Sequence, residues 1–333
     1  MPSTAVDVIA VAVGILEDAH GRILVGRRPD HKHQGGKWEF PGGKIELGET
    51  MPAALARELH EELGINLQAA CPMLRVRHQY PDQNVLLDVW RVTEYTGEPH
   101  GREGQSLRWV DTAELAQLDL PSADIPILRA LQLPTFYLIT DSQRYGKSEM
   151  LARIERALRA GAQLLQIREP HLSAEEYLDY ARTVCVLAHR YGARVLLNAE
   201  AALVESCEAD GVHLSSRRLM SVSARPLPVP YLVSASCHDA TELAQAERVE
   251  ADFALLSPVL PTASHPGAKA LGWEHFAQLR LQSDIPVYAL GVMQPQHFPQ
   301  ARSHGGQGVA MIGGIWEAAS IETALASLRC LRR

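Results

Sequence analysis

The sequence predicts two consecutive domains of different fold class, an α+β domain over residues 1–133 and an α/β domain, a (β/α)8 barrel, over residues 134–333. The chain has 333 residues, about twice the length of an average domain. Strand-like and helix-like segments are mixed up to Leu133, whereas short apolar runs and amphipathic segments alternate regularly after Pro134. Because few residues separate the two patterns, we expect a short joint.

The first region contains strands, one major helix, further strands and a last helix, an order typical of α+β domains. We expect strands over residues 8–15, 22–25, 85–92 and 106–110 and helices over residues 51–63 and about 125–131. Thr50 can cap the major helix, Pro52 fits its first turn, and Gly64 suits the left-handed position after its end. Leu55, Leu59 and Leu63 form an i, i+4, i+8 stripe that should face the core.

The second region repeats a strand-then-helix unit. Apolar runs begin at residues 136, 163, 194, 211, 231, 253, 286 and 308, and amphipathic helical segments cover residues 148–160, 174–191 and 273–281. Eight strands alternating with helices over 200 residues predict the barrel. The stretch after Leu214 is short and rich in proline, so we expect a reduced fourth helix.

Composition and charge exclude several functional classes. Apolar residues make up 46% and charged residues 21%, which is ordinary for a globular protein. Residues 1–133 contain 13 lysines and arginines against 19 aspartates and glutamates, a charge of −6, and the remainder carries −1. An acidic domain is a poor nucleic-acid binder, whereas clustered carboxylates suit a divalent metal.

We expect a cytoplasmic protein without a membrane segment, and the sequence leaves its oligomeric state open. The apolar run Val8–Leu16 is far shorter than the ~20 residues of a membrane helix, and residues 1–5 lack a secretory pattern. The five cysteines are scattered without a CxxC pair, which fits free thiols in a reducing compartment.

The major helix carries three glutamates on one face. Glu58, Glu61 and Glu62 are spaced i, i+3 and i+4 and share a face about 100° wide. Like charges at these spacings destabilise a helix by ~0.2–0.5 kcal/mol per pair, and they lie toward its negative end. A solvated acidic face could tolerate this arrangement, but a site that collects Mg2+ explains it better.

The residues around these glutamates favour the metal site. The turn at residues 41–43 can bring backbone carbonyls close to a metal, and Glu49 and Arg57 can orient the carboxylates. The pattern from Gly43 to Ile65 resembles the Nudix box at every fixed position. Residues 37–50, 97–105 and 120–126 resemble the MutT branch of that family, the 8-oxo-dGTP diphosphatases.

This resemblance implies an α/β/α sandwich that hydrolyses a nucleoside triphosphate to the monophosphate and pyrophosphate with Mg2+, or with Mn2+ in its place. By position, the metal-site residues are the Gly42 carbonyl, Glu58, Glu61, Glu62 and Glu103. The catalytic residues are Glu58, Glu61, Glu103 and Arg57, and the substrate-binding residues are Arg28, Phe40 and Asp124. Glu103 can orient or deprotonate water, and the identity of the general base stays open.

One departure concerns the base. Where the MutT pattern has an asparagine, which can donate to O6 of oxidised guanine, this chain has Asp124. An ionised aspartate can only accept, so Asp124 either is protonated in a dry pocket or reads O6 differently. Alternatively, Asp124 caps the last helix and Phe40 is a core aromatic. Preference for oxidised dGTP, which would place the protein in nucleotide-pool cleansing for DNA replication and repair, is therefore an expectation.

Active sites of (β/α)8 barrels lie at the carboxyl ends of the strands. Candidate residues there are Arg168, Asn198, His238, Thr262, Gly291, Gly313 and Gly314. The glycines after the last two strands fit a phosphate site. The ordered pieces at residues 137–141, 166–169, 210–214, 236–238, 258–262 and 265–267 resemble the thiamine-phosphate synthase/TenI family.

The barrel departs from the synthase pattern at four places. Pro170 and His265 replace lysines, Ala199 replaces an aspartate, and the region 215–218 replaces a further acid. Two metal-binding carboxylates and two pyrophosphate-binding lysines are thus lost, so we expect no synthase activity. TenI-type tautomerases also lack these ligands, and His238 is a candidate general acid–base. Alternatively, the barrel only binds a phosphorylated thiazole or thiamine-like ligand and regulates or steadies its neighbour.

For the whole chain we expect an 8-oxo-dGTP diphosphatase fused to such a barrel. Two alternatives stay open: a Nudix hydrolase of a thiamine-pathway pyrophosphate with a tautomerase-like barrel, and a nucleotide sensor without turnover. The four glutamates of the predicted metal site argue against the sensor, because binding alone does not need so many carboxylates near a triphosphate.

Overall fold

A computed structural model describes residues 8–30, 34–261 and 270–330 of the chain. It divides into two compact units, Met1–Leu133 and Pro134–Arg333. No helix among the described residues is long and apolar enough to cross a membrane. Of the cysteines with described side chains, Cys71, Cys185, Cys207 and Cys237 are free thiols, and the last three are buried.

The first unit combines seven strands and three α-helices in its described residues. The strands are β1 (Val8–Ile15), β2 (Ile23–Arg27), β3 (Trp38–Glu39), β4 (Gly42–Lys44), β5 (Asn66–Gln79), β6 (Asn84–Thr96) and β7 (Leu107–Val110). The helices are α1 (Met51–Leu63), α2 (Thr112–Leu115) and α3 (Ile125–Gln132), with a 3-10 turn over Ser122–Asp124 before α3.

These elements form a sandwich around strand β1. One sheet has the order β4-β1-β6-β5, with β1 parallel to β6, and a second sheet has the order β3-β2-β7. Ala12 of β1 packs in an apolar cluster with Leu55 and Leu59 of α1. Its neighbour Val13 packs in another cluster with Ile127 of α3. Because successive side chains of a strand point to opposite faces, α1 and α3 cover the two faces of β1.

Two local features of this unit differ from the sequence expectation. Strand β5 was not predicted, because Pro72 and the register shifts around Leu67, Ala69 and Leu74 interrupt its alternation. Thr50 occupies the position before α1, but its side chain makes no capping hydrogen bond. The expected cap from Thr50 is therefore wrong, whereas Gly64 does adopt the left-handed conformation at φ 70°.

The second unit is a closed parallel barrel, which confirms the predicted architecture. Its strands among the described residues are β8 (Phe136–Ile139), β9 (Leu164–Ile167), β10 (Arg194–Leu197), β11 (Gly211–Leu214), β12 (Leu232–Cys237), β13 (Phe253–Leu256), β14 (Val287–Ala289) and β15 (Gly308–Met311). Each strand pairs with the next in the chain, and β15 pairs with β8 to close the ring.

Helices follow the strands but vary greatly in length. They are α4 (Ser142–Tyr145), α5 (Lys147–Arg159), α6 (Ala174–His189), α7 (Leu203–Ser206), α8 (Ser216–Leu219), α9 (Ala240–Arg248), α10 (Gly272–Leu281), α11 (Phe298–Ser303), α12 (Gly313–Trp316) and α13 (Ile321–Cys330). Helix α8, which follows the fourth strand, is only one turn long, as the proline-rich sequence predicted. The equally short α7 was not predicted.

The barrel interior is filled by aromatic and polar side chains. Phe253 packs edge-on against both Tyr137 and Tyr288, with ring centroids 5.4 and 5.3 Å apart. Toward the carboxyl ends of the strands, the buried His213 contacts Ser234 and Ser236. The interior is therefore closed by aromatic packing, and the polar groups lie where the strands end.

Candidate active site

The glycine turn of the first unit lies directly against helix α1. A Cβ atom on Gly43 would lie 2.3 Å from Cδ of Glu58, so only a glycine lets this carboxylate approach the strand. The Gly42 N–H donates a hydrogen bond to Oε2 of Glu62 at 3.1 Å. The turn and two of the three helix glutamates are thus in contact.

Arg57 connects the remaining acids. Its Nε and Nη2 donate to the two carboxylate oxygens of Glu49 at 3.0 and 2.9 Å. Its Nη1 donates to Glu58 at 2.8 Å and to Glu61 at 3.2 Å. The hydrogen bonds from Arg57, first to Glu49 and then to Glu58, raise its pKa further above its usual range. A planar guanidinium held at this many points fixes the orientation of the Glu58 carboxylate.

The loop that carries Glu103 is attached to the end of α1. The Arg102 N–H and the side-chain amide of Gln105 both donate to the Glu62 carbonyl, each at 3.0 Å. The Glu103 N–H in turn donates to Oε1 of Gln105 at 2.9 Å. These bonds explain how a residue about 40 positions beyond the helix comes to lie near Glu62. Gln105 was not predicted as a site residue, although it ends the segment that resembles MutT.

The electrostatics of Glu62 show how crowded the acids are. Burial, together with the negative charges of Glu39, Glu58 and Glu103, raises the pKa of this carboxyl to about 7, although the hydrogen bond from the Gly42 N–H lowers it. These carboxylate oxygens repel one another because they are close together and partly buried. A hard divalent cation prefers such oxygen ligands and relieves their repulsion. The residues present therefore fit a divalent metal.

The predicted metal ligands are not all equivalent. Glu58, Glu62 and Glu103 lie near one another, whereas Glu61 is 56% exposed and reaches Glu58 through Arg57. Within residues 8–30, 34–261 and 270–330, no three His, Cys, Asp or Glu side chains converge as a ready-made metal site. Arg57 and the Gly42 N–H donate hydrogen bonds to carboxylate oxygens of Glu58, Glu61 and Glu62, and a bound cation would use oxygens of the same carboxylates.

Asp124 is buried beside Phe40, which shortly precedes the glycine turn. Its side chain is not the cap of α3, so the capping alternative is wrong. The residue is only 7% exposed, and its carboxyl accepts a hydrogen bond from the Phe40 N–H. Burial, and then the charge of Glu39, raises its pKa to about 8, although Arg28 and the Phe40 N–H lower it. The raised pKa therefore favours the neutral form of Asp124 at pH 7.

Arg28 and Phe40 frame this carboxyl. Arg28 forms an ion pair with Glu39, and both side chains are 25% exposed. The Phe40 ring is buried in the apolar cluster of α3, and its backbone binds Asp124. Sequence reasoning missed Glu39. Its position next to the Phe40-Pro41-Gly42-Gly43 segment was the signal that could have identified it.

The barrel has a cavity of about 1430 Å³ at the carboxyl ends of its last strands. Gly291, Gly313 and Gly314 line it, together with Asp141 after β8. A Cβ atom on Gly314 would lie 2.0 Å from the Met293 carbonyl oxygen, so the backbone there requires a glycine. Thr262, and with it His265, lies outside the described residues.

Asn198 lies in a polar chain that begins inside the barrel. The Gln166 amide donates to the Tyr137 hydroxyl at 3.2 Å, and the Asn198 amide donates to Oε1 of Gln166 at 3.3 Å. Nη1 of Arg218 then donates to the side-chain oxygen Oδ1 of Asn198 at 3.2 Å. Arg168, which follows β9, is exposed, and its backbone N–H donates to the Thr140 hydroxyl. Arg218 was predicted only as part of a replaced region.

His238 is oriented by a residue that the sequence analysis missed. Its Nδ1 lies 2.8 Å from Oε2 of Glu242, and its backbone N–H donates to the same oxygen at 2.7 Å. The Ser216 hydroxyl donates to the other oxygen of Glu242. Because an ionised carboxylate only accepts, Nδ1 is the donor in this contact, and Nε2 is the ring nitrogen left to exchange a proton with a ligand. The i, i+4 spacing of His238 and Glu242 was the available signal.

Comparison with known proteins finds relatives of both units. The NUDIX domain matches residues 12–130, and the family described as thiamine monophosphate synthase matches residues 136–315. The 8-oxo-dGTP diphosphatase of Escherichia coli is 39% identical over 124 residues, 37% of this chain and 96% of that protein. The CTP pyrophosphohydrolase of the same organism is 38% identical over 122 residues, 37% of this chain and 90% of that protein. A putative thiamine-phosphate synthase of Aquifex aeolicus is 32% identical over 187 residues, 56% of this chain and 100% of that protein.

The fold and the acidic site define the first unit as a hydrolase of phosphorus-containing anhydrides. The chain belongs to the Nudix family through this unit and to the thiamine monophosphate synthase family through its barrel. Both resemblances found in the sequence are thereby confirmed.

Proposed function

We propose that the first unit is a Mg2+-dependent nucleoside triphosphate diphosphatase that converts 8-oxo-dGTP to 8-oxo-dGMP and pyrophosphate. The observation that carries the chemistry is the contact of Glu58 and Glu62 with the Gly42–Gly43 turn, beside the loop of Glu103. A divalent ion bound by the Gly42 carbonyl, Glu58, Glu61, Glu62 and Glu103 would neutralise phosphate charge and lower the pKa of a bound water. Mg2+ is the natural occupant, and Mn2+ can replace it.

The chain's own residues then orient the reaction. Arg57, held by Glu49, fixes Glu58, and the bonds from Arg102 and Gln105 hold the Glu103 loop at the end of α1. Glu103 is exposed and can accept a proton from the attacking water. Arg28 lies beside the base-binding carboxyl and can turn from Glu39 to a substrate phosphate.

The base preference rests on Asp124. Relatives that act on different nucleotides are almost equally similar to this chain, so overall similarity does not select the base. A neutral Asp124 has one O–H donor and one carbonyl acceptor, the pair that an asparagine amide offers. Its O–H can donate to O6 of the oxidised purine while its carbonyl oxygen accepts from N7–H. The buried, protonated Asp124 therefore supports 8-oxo-dGTP as the substrate.

For the barrel we propose that synthase activity is lost. Ala199 has no carboxylate, and Arg218 places a positive charge at the end of the replaced segment, bonded to Asn198. A second candidate function, proton transfer of the tautomerase type, is favoured by the bond between His238 and Glu242, which leaves Nε2 to exchange a proton with a ligand. This activity would need no metal.

The test is pyrophosphate release with Mg2+ from 8-oxo-dGTP, dGTP and CTP, and release of phosphate from thiamine pyrophosphate. Glu58→Gln should lower the rate about 100-fold or more, because a preorganised charge is removed. Glu46→Gln removes an exposed acid of the same unit and should leave the rate unchanged.

Each alternative predicts its own result. Preference for dGTP or CTP would contradict the proposed substrate, and activity on thiamine pyrophosphate alone would favour the thiamine-pathway hydrolase. Nucleotide binding without turnover of any compound would favour the sensor.

A further inference from the structure

The segment that carries Asp124 is a short turn without a cap of its own. Asp124 ends the 3-10 turn Ser122–Asp124, and α3 begins at the next residue. Neither this turn nor α3 has a side chain that caps its first N–H groups. Because a single 3-10 turn gains little from its own hydrogen bonds, contacts with other elements must fix the position of Asp124.

Strand β5 supplies contacts to the two residues before Asp124. The Ser122 hydroxyl is hydrogen-bonded to Nε2 of His78 at 2.9 Å, and the Ala123 N–H donates to the Tyr80 hydroxyl at 3.4 Å. The rings of His78 and Tyr80 lie edge to face, with centroids 4.5 Å apart. Two rings at alternate positions of one strand therefore hold two consecutive residues of the turn.

The position of this turn decides how the Asp124 carboxyl is presented. The Phe40 N–H donates to that carboxyl, so a shift of the turn would stretch this bond or move the carboxyl away from the base. In the proposed function, the carboxyl must meet O6 and N7–H of the purine at hydrogen-bond distance, about 2.7–3.2 Å between heavy atoms. A turn released from His78 would bind the base less well, while the acids of the metal site would stay in place.

A histidine suits this contact because of what its ring can do. A hydroxyl can donate to an unprotonated ring nitrogen or accept from a protonated one, so the bond to Ser122 can form in either state of the ring. His78 is half-buried and Ser122 is exposed, so solvent competes with the bond. We therefore expect the moderate contribution of one ordinary hydrogen bond.

We propose that His78 is a positioning residue for nucleotide recognition, which holds the turn of Asp124 through its hydrogen bond to Ser122. It acts through the turn and not on the reacting phosphate, and Tyr80 supports its ring and binds the next residue of the turn. This inference rests on the proposed reading of the base by Asp124, but it concerns residues outside the acidic site.

The test is a double-mutant cycle on the 333-residue chain, with kcat and KM measured in Mg2+ for 8-oxo-dGTP and for CTP. His78→Phe keeps an aromatic ring beside Tyr80 but has no ring nitrogen, and Ser122→Ala removes an exposed hydroxyl. Each should raise KM for 8-oxo-dGTP about threefold to tenfold, the effect of one hydrogen bond, with kcat unchanged. The double variant should lose no more than either single variant, since all three lack the same bond.

Three comparisons separate positioning from a general loss of stability. Cytosine offers neither O6 nor N7–H to Asp124, so KM for CTP should change less than KM for 8-oxo-dGTP. His78→Gln restores a group that can bond to Ser122 and should recover most of the affinity. His20→Phe changes an exposed histidine elsewhere in the first unit and should leave both KM values unchanged.

Four results would overturn the inference. Unchanged KM for 8-oxo-dGTP in both His78→Phe and Ser122→Ala would show that their bond does not position Asp124. Losses that add in the double variant would show that the two residues act independently, and an equal rise of KM for CTP would indicate general destabilisation. In these three cases the proposed function would stand. Absence of 8-oxo-dGTP turnover by the unmodified chain would overturn the proposed function and the inference together.

Discussion

The two units surround a buried titratable group with opposite charges. In the first, burial and then the charges of Glu39, Glu58 and Glu103 raise the pKa of Glu62, and the arrangement suits a divalent cation. In the second, burial and then the charges of Arg168 and Arg218 lower the pKa of His213. The comparison teaches that burial favours the neutral form of both groups, while the sign of the surrounding charge decides whether the place attracts a cation or repels it.

The largest effect is expected from a change at the acidic site of the first unit. Gly43→Ala would place a methyl group 2.3 Å from Cδ of Glu58 and displace that carboxylate. A displacement of about 1 Å can cost ~100-fold in rate, so we expect a loss of this size in pyrophosphate release. Gly26→Ala is the control, because its added methyl would make only an ordinary 3.4 Å contact. Equal activity of the two variants would show that Glu58 need not approach the turn.

A smaller effect is expected at Asp124, the proposed base-binding residue of the first unit. Asp124 is neutral below about pH 8 and charged above it, so its O–H donor disappears as the pH rises. The value of kcat/KM for 8-oxo-dGTP should therefore fall about tenfold or more above pH 8, since the hydrogen bond to O6 is lost. In Asp124→Asn this fall should be absent, because an amide does not titrate. A fall of equal size in both proteins would assign the titration to another group.

The same group links stability to pH. The folded-state pKa of Asp124 is raised above its unfolded value, so its contribution to stability is complete below pH 3.8 and declines as the pH rises to about 8. The free energy of unfolding of Asp124→Asn, relative to that of the unmodified chain, should therefore increase as the pH rises from 5 to 9. Urea unfolding followed within the first unit measures this difference. A constant difference across that interval would contradict the raised pKa.

The smallest effect compares one helix of each unit. The Ser173 side chain accepts from the Glu176 N–H and completes a capping box at the start of α6, whereas Thr50 caps nothing. Ser173→Ala should destabilise α6 by about 1 kcal/mol, a typical cost for a lost cap, and Thr50→Ala should have a smaller effect. Hydrogen exchange in the first turns of α6 and α1 measures both. A greater loss of protection in Thr50→Ala would reverse the assignment.

Much of this organisation could be predicted from the sequence. The start of each barrel strand and the extent of α1 follow from apolar periodicity, and the acidic helix follows from residue spacing. Strand β5 could not be predicted, because bulges and Pro72 disrupt its pattern. Glu39 and Arg218 acquire their roles through contacts with residues distant in the sequence. The protonation of Asp124 depends on burial, which no local pattern specifies.

The central claim, that the acids of the first unit serve to bind a divalent cation, is tested most directly by varying Mg2+ on a single preparation of the chain. Pyrophosphate release from 8-oxo-dGTP would be measured in EDTA and in excess Mg2+, for the unmodified chain and for Glu58→Gln. The account predicts that hydrolysis is absent in EDTA, restored by Mg2+ and largely lost in Glu58→Gln. Hydrolysis that persists in EDTA, or that Mg2+ restores equally in Glu58→Gln, would contradict it.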